Sequence, residues 1–104
     1  MLFFDSYEDT VMALRKPAAN DMYAREGLMA EVGEYFNHRA KGIRDGFPDN
    51  YKDLVKKELG DILWFVTAIA NDEGFSLQDI AMTNMKKLLD RKARGVLSGS
   101  GDDR

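Results

Sequence analysis

Glu31-Val32-Gly33-Glu34 and Glu58-Leu59-Gly60-Asp61 are one pattern written twice. Each copy sets two carboxylates three residues apart, with an aliphatic residue and a glycine between them. On an α-helix that spacing puts both acids on nearly one face, about 60° apart and about 4.5 Å along the axis. Two helices crossing near Gly33 and Gly60 would bring all four carboxylates together, and glycine, poor in a helix interior, suggests such a close crossing. Four anions at one place repel unless something neutralises them. A hard divalent cation with oxygen ligands is the natural candidate. One acidic pair alone carries little weight, because surface helices are full of them and these acids could instead be solvated or paired with Lys56, Lys57 and Arg25. The duplication, with glycine at the same place inside two apolar patterns, favours the metal site.

Helices must position these acids. The first is expected from Asp5 or Ser6 to just before Pro17, with Val11 and Leu14 facing inward. The second runs from Asn20 or Asp21 to Lys41 with Leu28, Val32, Tyr35 and Phe36 as its apolar stripe, and Gly42 as its stop. Gly42 to Asn50 reads as a loop, with Asp49 and Asn50 as capping candidates. The third helix spans Tyr51 to Asp72 and stops at Gly74. Its apolar stripe of Leu54, Val55, Ile62, Phe65, Val66 and Ile69 is interrupted by Glu58 and Asp61, where packing alone would place Leu or Ala. Ser76-Leu77-Gln78-Asp79 resembles a capping box and opens a fourth helix that runs to Arg94, before Gly95. No strand signal competes. The fold class is all-α, a four-helix bundle-like single domain over residues 1–95, with a polar, glycine-rich tail over 96–104 that is expected to be mobile when free.

Other groups read as follows. Glu26, Asp53 and Asp72 look like ordinary surface acids. His38, the single histidine, follows Glu34 by four residues and is expected to face solvent. A di-iron bundle needs Glu-x-x-His on two helices, and this chain has none. Asn84, Lys87, Arg91 and Arg94 recur at helical spacing, either as a solvated basic face or as a stripe that meets phosphate oxygens near the metals. Trp64, three residues after Asp61, is expected in the core, with base stacking as the lesser alternative. Ser98-Gly99-Ser100-Gly101 lacks the lysine and following helix of a P-loop. No Ser-His-Asp or Cys-His arrangement is present.

At 104 residues the chain makes one domain with a modest core, close to the size at which an oligomer interface helps. A net charge of −3 argues against a nucleic-acid binder, so an anionic ligand would depend on metal ions for attraction. With no cysteine there is neither a disulfide nor a thiolate metal site. No apolar run is long enough to span a membrane, and Met1-Leu2-Phe3-Phe4 is too short for a signal peptide, so a cytoplasmic protein is expected.

Taken together, Glu31-x-x-Glu34 and Glu58-Leu59-Gly60-Asp61-Ile62-Leu63-Trp64 resemble the MazG-like branch of the all-α nucleoside triphosphate pyrophosphohydrolases. Gly27-Leu28 ahead of the first pair fits that pattern, as do Asn84-x-x-Lys87-Leu88 and Arg91. The ending Arg94-Gly95-Val96-Leu97-Ser98-Gly99-Ser100-Gly101-Asp102 is similar to small bacterial and phage members. One departure is Ala30 before Glu31, where many relatives carry a second glutamate, which leaves four acids instead of five. The resemblance implies hydrolysis of a ribo- or deoxyribonucleoside triphosphate to the monophosphate and pyrophosphate with Mg²⁺, or alternatively Mn²⁺. It implies Glu31, Glu34, Glu58 and Asp61 as metal ligands, with Glu34 also orienting the attacking water. Lys87 and Arg91 would hold phosphates, and Asn84 sugar or phosphate. A homodimer or a dimer-paired tetramer is expected. The alternatives are a related dUTP- or phosphoribosyl-ATP-type pyrophosphohydrolase, or a non-catalytic helical interaction or regulatory module.

Overall fold

The computed structural model of the chain describes residues 3–96 together with Gly99 and Gly101. Four helices make up the described residues, with no strand: α1 (Phe3–Leu14), α2 (Asp21–Asp45), α3 (Tyr51–Asp72) and α4 (Leu77–Ala93). The rest of the 96–104 tail, on which the expectation of mobility also falls, lies outside the described residues.

Local chemistry sets the helix ends. Asn20 caps α2, its side-chain oxygen accepting from the Tyr23 N–H at 3.0 Å. The capping box before α4 forms in full: the Asp79 N–H donates to Ser76 Oγ at 3.0 Å and the Ser76 N–H donates back to Asp79 Oδ2 at 3.1 Å. A carboxylate from α1 adds to that end, since Glu8 accepts from the Leu77 N–H. Asn50 stands at the N-cap of α3 without a side-chain capping bond. The first helix begins at Phe3, ahead of Asp5, and while Val11 is buried, Leu14 points to solvent.

Gly42 does not stop α2, which continues to Asp45 and ends at Gly46, whose φ of 93° suits glycine. The reason lies in the loop. The Phe47 ring folds back onto Gly42 so closely that a Cβ there would fall 2.2 Å from it. Contact of the half-exposed ring with the bare, buried backbone of Gly42 offsets the roughly 1 kcal/mol that a helical glycine costs.

Most of the packing is between α2 and α3. Ala24, Phe65 and Ala68 are buried at its centre, flanked by Leu28, Trp64 and Ile69. Trp64 meets the Phe65 ring edge-on at 5.0 Å, so it is a core residue as expected. The close approach occurs at Gly27, where a Cβ would lie 2.1 Å from the Phe65 ring. Gly33 and Gly60 correct the expected crossing point, because a Cβ at either would meet nothing within 4 Å. Phe36, expected in the apolar stripe, is also exposed.

The outer helices pack more lightly. α1 and α4 touch α3 and each other, and among the described residues neither packs on α2. Arg15 ties the end of α1 to α3. It pairs with Asp72 through two bonds of 2.8 and 2.9 Å and also donates to the Ala19 and Ala68 carbonyls. Asp72 is therefore a structural ion-pair partner and no ordinary surface acid; the guanidinium holds its carboxyl below the usual carboxylate range.

Candidate metal centre

Along α2 the inward face passes through Ala24, Leu28, Glu31, Tyr35, His38 and Gly42, all buried or half-buried at helical spacing. Glu31 and His38 thus occupy turns where apolar residues would normally sit. On α3, Glu58 likewise stands half-buried between Leu54 and Ile62. The α2–α3 pairing turns these positions toward one another. Glu34 and Asp61 lie at the exposed edge of the same cluster.

Two sets of ligand atoms result. One comes from Glu31, Glu58 and Asp61, the other from Glu34, His38 and Glu58, and within each set the atoms lie within 4.8 Å of one another. Glu58 belongs to both. The structure therefore brings the four sequence-derived acids to one place through Glu58.

The electrostatics are those of a crowded anionic site. The Glu31 pKa is raised, first by burial, then by a hydrogen bond to Glu58 that needs a proton on Glu31, then by the charges of Asp61, Glu58 and Glu34. Glu58 Oε1 bonds to His38 Nε2 at 3.1 Å, and Glu58 Oε2 is buried with no donor other than a protonated Glu31. With Glu31 ionised that oxygen has no donor, which is costly unless a cation takes its lone pairs. Lys56 and Lys57 are exposed, and Arg25 pairs with Asp21 at 3.5 Å, away from the cluster. The acids fit a divalent cation with oxygen ligands.

Two neighbours escaped the sequence reading. His38 is half-buried and bonded to Glu58, not solvent-facing. Its distance of seven residues from Glu31, two helical turns on one face, was the available signal. Tyr7 on α1 had no such signal. Its pKa is raised by burial foremost and then by the charge of Asp61, with a hydrogen bond to Thr67 acting the other way. α1 thus brings a phenol to the Asp61 side of the cluster.

The α4 stripe is more divided. Asn84 and Lys87 line a groove with Phe75, Asp79, Ile80 and Thr83, none of them an acid of the cluster's two sets. Arg91 is buried, and its Nη2 donates to the Gly101 carbonyl at 3.3 Å. Arg94 pairs with Asp90 one turn back.

The family model described as "MazG nucleotide pyrophosphohydrolase domain" matches residues 22–96, which hold both acidic pairs and all of α3 and α4. The chain belongs to the MazG family. It is also 39% identical over 85 residues to the Gene 37 protein of Mycobacterium phage L5, a match that covers 79% of this chain and 75% of that protein. No solved structure matches it. The MazG match begins at Met22, so α1, with Tyr7 and Glu8, and Arg15 after it lie outside the matched region.

Proposed function

We propose that this MazG domain is a Mg²⁺-dependent nucleoside triphosphate pyrophosphohydrolase that converts a ribo- or deoxyribonucleoside triphosphate and water to the monophosphate and pyrophosphate. The observation that supports this most is Glu58, half-buried, shared by two sets of ligand atoms and carrying a buried oxygen that has no donor once Glu31 is ionised, in a chain of this family. Glu31, Glu34, Glu58 and Asp61 would hold the cation, with Mn²⁺ as the alternative to Mg²⁺. When bound, the ion supplies charge neutralisation for phosphate oxygens and lowers the pKa of a coordinated water.

The remaining roles fall to the chain's own groups. Glu34, at the exposed edge of the cluster, orients the attacking water and accepts its proton. Glu58 is held in place by His38 through one carboxylate oxygen, which leaves the other, buried oxygen for the cation. Lys87 and Asn84 contact phosphate and sugar. Arg91 joins them by exchanging the Gly101 carbonyl for a phosphate oxygen, a stronger acceptor for a guanidinium. The protein works as a homodimer or dimer-paired tetramer, in the cytoplasm where its substrates are. Supporting the oligomer, an apolar groove of about 640 Å³ runs between Phe4, Leu63, Val66, Ile80 and Met85.

The test is steady-state hydrolysis of all ribo- and deoxyribonucleoside triphosphates, with and without Mg²⁺, with products identified. Pyrophosphate release that depends on Mg²⁺ is expected. Glu34→Gln and Glu58→Gln should each lower kcat by two orders of magnitude or more while helicity is kept, on the scale of losing a positioned acid–base or metal-bound group. Full activity in both variants, or release of orthophosphate instead, would overturn the reading.

A further inference from the structure

We propose that the outer side of α2 is a self-association seam, along which the same helix of a second copy packs antiparallel. The seam would give the expected oligomer a contact separate from the groove between Phe4, Leu63 and Met85, and it does not depend on the hydrolytic activity.

α2 is apolar on two opposite sides. Its inward face, from Ala24 to Gly42, packs on α3, and among the described residues α2 packs on no other helix. On the other side Met22, Met29, Phe36 and Ile43 recur every seven residues, each between 58% and 73% exposed. Gly33 and Ala40 lie among them and are exposed as well. One apolar stripe is satisfied by one neighbour, and a second stripe calls for a second neighbour. A seven-residue repeat is the spacing that keeps a seam turned toward another helix. This stripe is about 32 Å long on a helix about 10 Å across, on the order of 300 Å², the size at which exposed apolar patches mark interaction sites.

The glycines of α2 show what would fit there. Gly27 and Gly42 are each covered by a phenyl ring, so that a Cβ would fall 2.1 Å from Phe65 and 2.2 Å from Phe47. Gly33 is the third glycine of the helix, and a Cβ there meets nothing within 4 Å. A ring to cover it stands three residues on, at the exposed Phe36. One antiparallel register sets Phe36 of each copy over Gly33 of the other and Met29 opposite Ala40, large against small in both places. Charge agrees with that register. Glu26 and Arg44 are 18 residues apart, five helical turns, so they share one flank of the stripe. The reversed partner brings Glu26 of one copy nearly level with Arg44 of the other, at both ends of the pair. Arg44 bonds Asp45 through Nε and Nη2, which leaves Nη1 for Glu26. Hollow, ring and both charges come from one chain, so the occupant that fits is a second copy.

Sedimentation velocity at micromolar concentration compares the full-length wild type with Gly33→Leu and Phe36→Glu. Both positions are exposed, and Gly33 has open space for a side chain within the single chain, so both variants should keep their helicity. Each is expected to halve the assembled mass. The chain has no cysteine, which allows a test of direction. Gly33→Cys protein, mixed with Phe36→Cys protein, allowed to exchange and mildly oxidised, should give the mixed disulfide in preference to either self-linked product. Unchanged mass in either folded variant, or self-linking of each with no mixed product, overturns the seam. If Met85→Glu with Leu89→Glu lowers the mass while Gly33→Leu and Phe36→Glu do not, the seam fails and the groove contact stands. A wild-type monomer removes both contacts. The hydrolysis assay alters none of these outcomes.

Discussion

Glu58 has apolar neighbours one turn away on each side, Leu54 and Ile62, and its own carboxylate is half-buried among other acids. A group in that position costs stability unless a cation joins it. The raised pKa of Glu31 reports the same tension from the facing helix, because burial and the surrounding charges both disfavour its ionised form. Adding Mg²⁺ at neutral pH is therefore expected to raise the melting temperature. Binding only to the folded state contributes about 2.7 kcal/mol at a hundredfold excess over the dissociation constant. A melting temperature that does not move in millimolar Mg²⁺ under conditions that support turnover would mean that the cation arrives only with nucleotide. The acids themselves were legible in the sequence, since a carboxylate inside an apolar stripe is conspicuous. For His38 only the face was legible, from its spacing to Glu31, because its chemistry depends on a carboxylate twenty residues away that only the α2–α3 pairing delivers.

For the helices, the lesson is carried by glycine. The sequence pointed to Gly33 and Gly60 as contact points because they repeat, yet both face open space, and the contact lies at Gly27 and Phe65. Helical spacing says which residues share a face, but not which ring from another helix will land on it. The end of α2 shows the same limit, since nothing local to Gly42 announces that Phe47 will cover it. By contrast, the start of α4 was fully legible, because a capping box is made by residues three apart in the chain. The two kinds of glycine should respond oppositely to alanine. Gly27→Ala pushes a methyl into the Phe65 ring and is expected to destabilise by roughly 1–3 kcal/mol. Gly60→Ala meets no neighbour and should stabilise by up to about 1 kcal/mol through helix propensity. Urea unfolding of both variants measures the contrast, and a destabilised Gly60→Ala would point to a contact made outside the single chain.

As a whole the molecule is open. Its radius of gyration is 16.8 Å, against about 13 Å for a compact chain of this length. Large apolar side chains stay exposed on the outer helices, among them Phe3, Leu14, Met85 and Leu89. Such surface is more than a lone soluble domain usually leaves uncovered. Sedimentation is expected to show a dimer or tetramer, and the double variant Met85→Glu with Leu89→Glu should shift it to a smaller, less stable species. A wild-type monomer at micromolar concentration would contradict this. The all-α class and the four helices were legible from periodicity. Their open arrangement was not, because hydrophobic patterning marks a face as apolar without saying whether this chain or another covers it.

Because α2 and α3 are joined by a short link and hold most of the packing between helices, they form a unit whose contacts are local in the chain. Units of that kind assemble early and open last. Both acidic pairs and His38 belong to it, whereas Asn84, Lys87 and Arg91 sit on a helix that docks only on α1 and α3. Amide hydrogen exchange in the charge-substituted, dissociated protein should therefore be slowest in α2 and α3 and faster in α4 by the difference between global and local opening. If the expected oligomer forms, the added protection of α4 in it would measure how much its order depends on association. The half proposed to bind the cation would then persist in a lone subunit, while the half proposed to hold the nucleotide would depend for its order on the company of another copy.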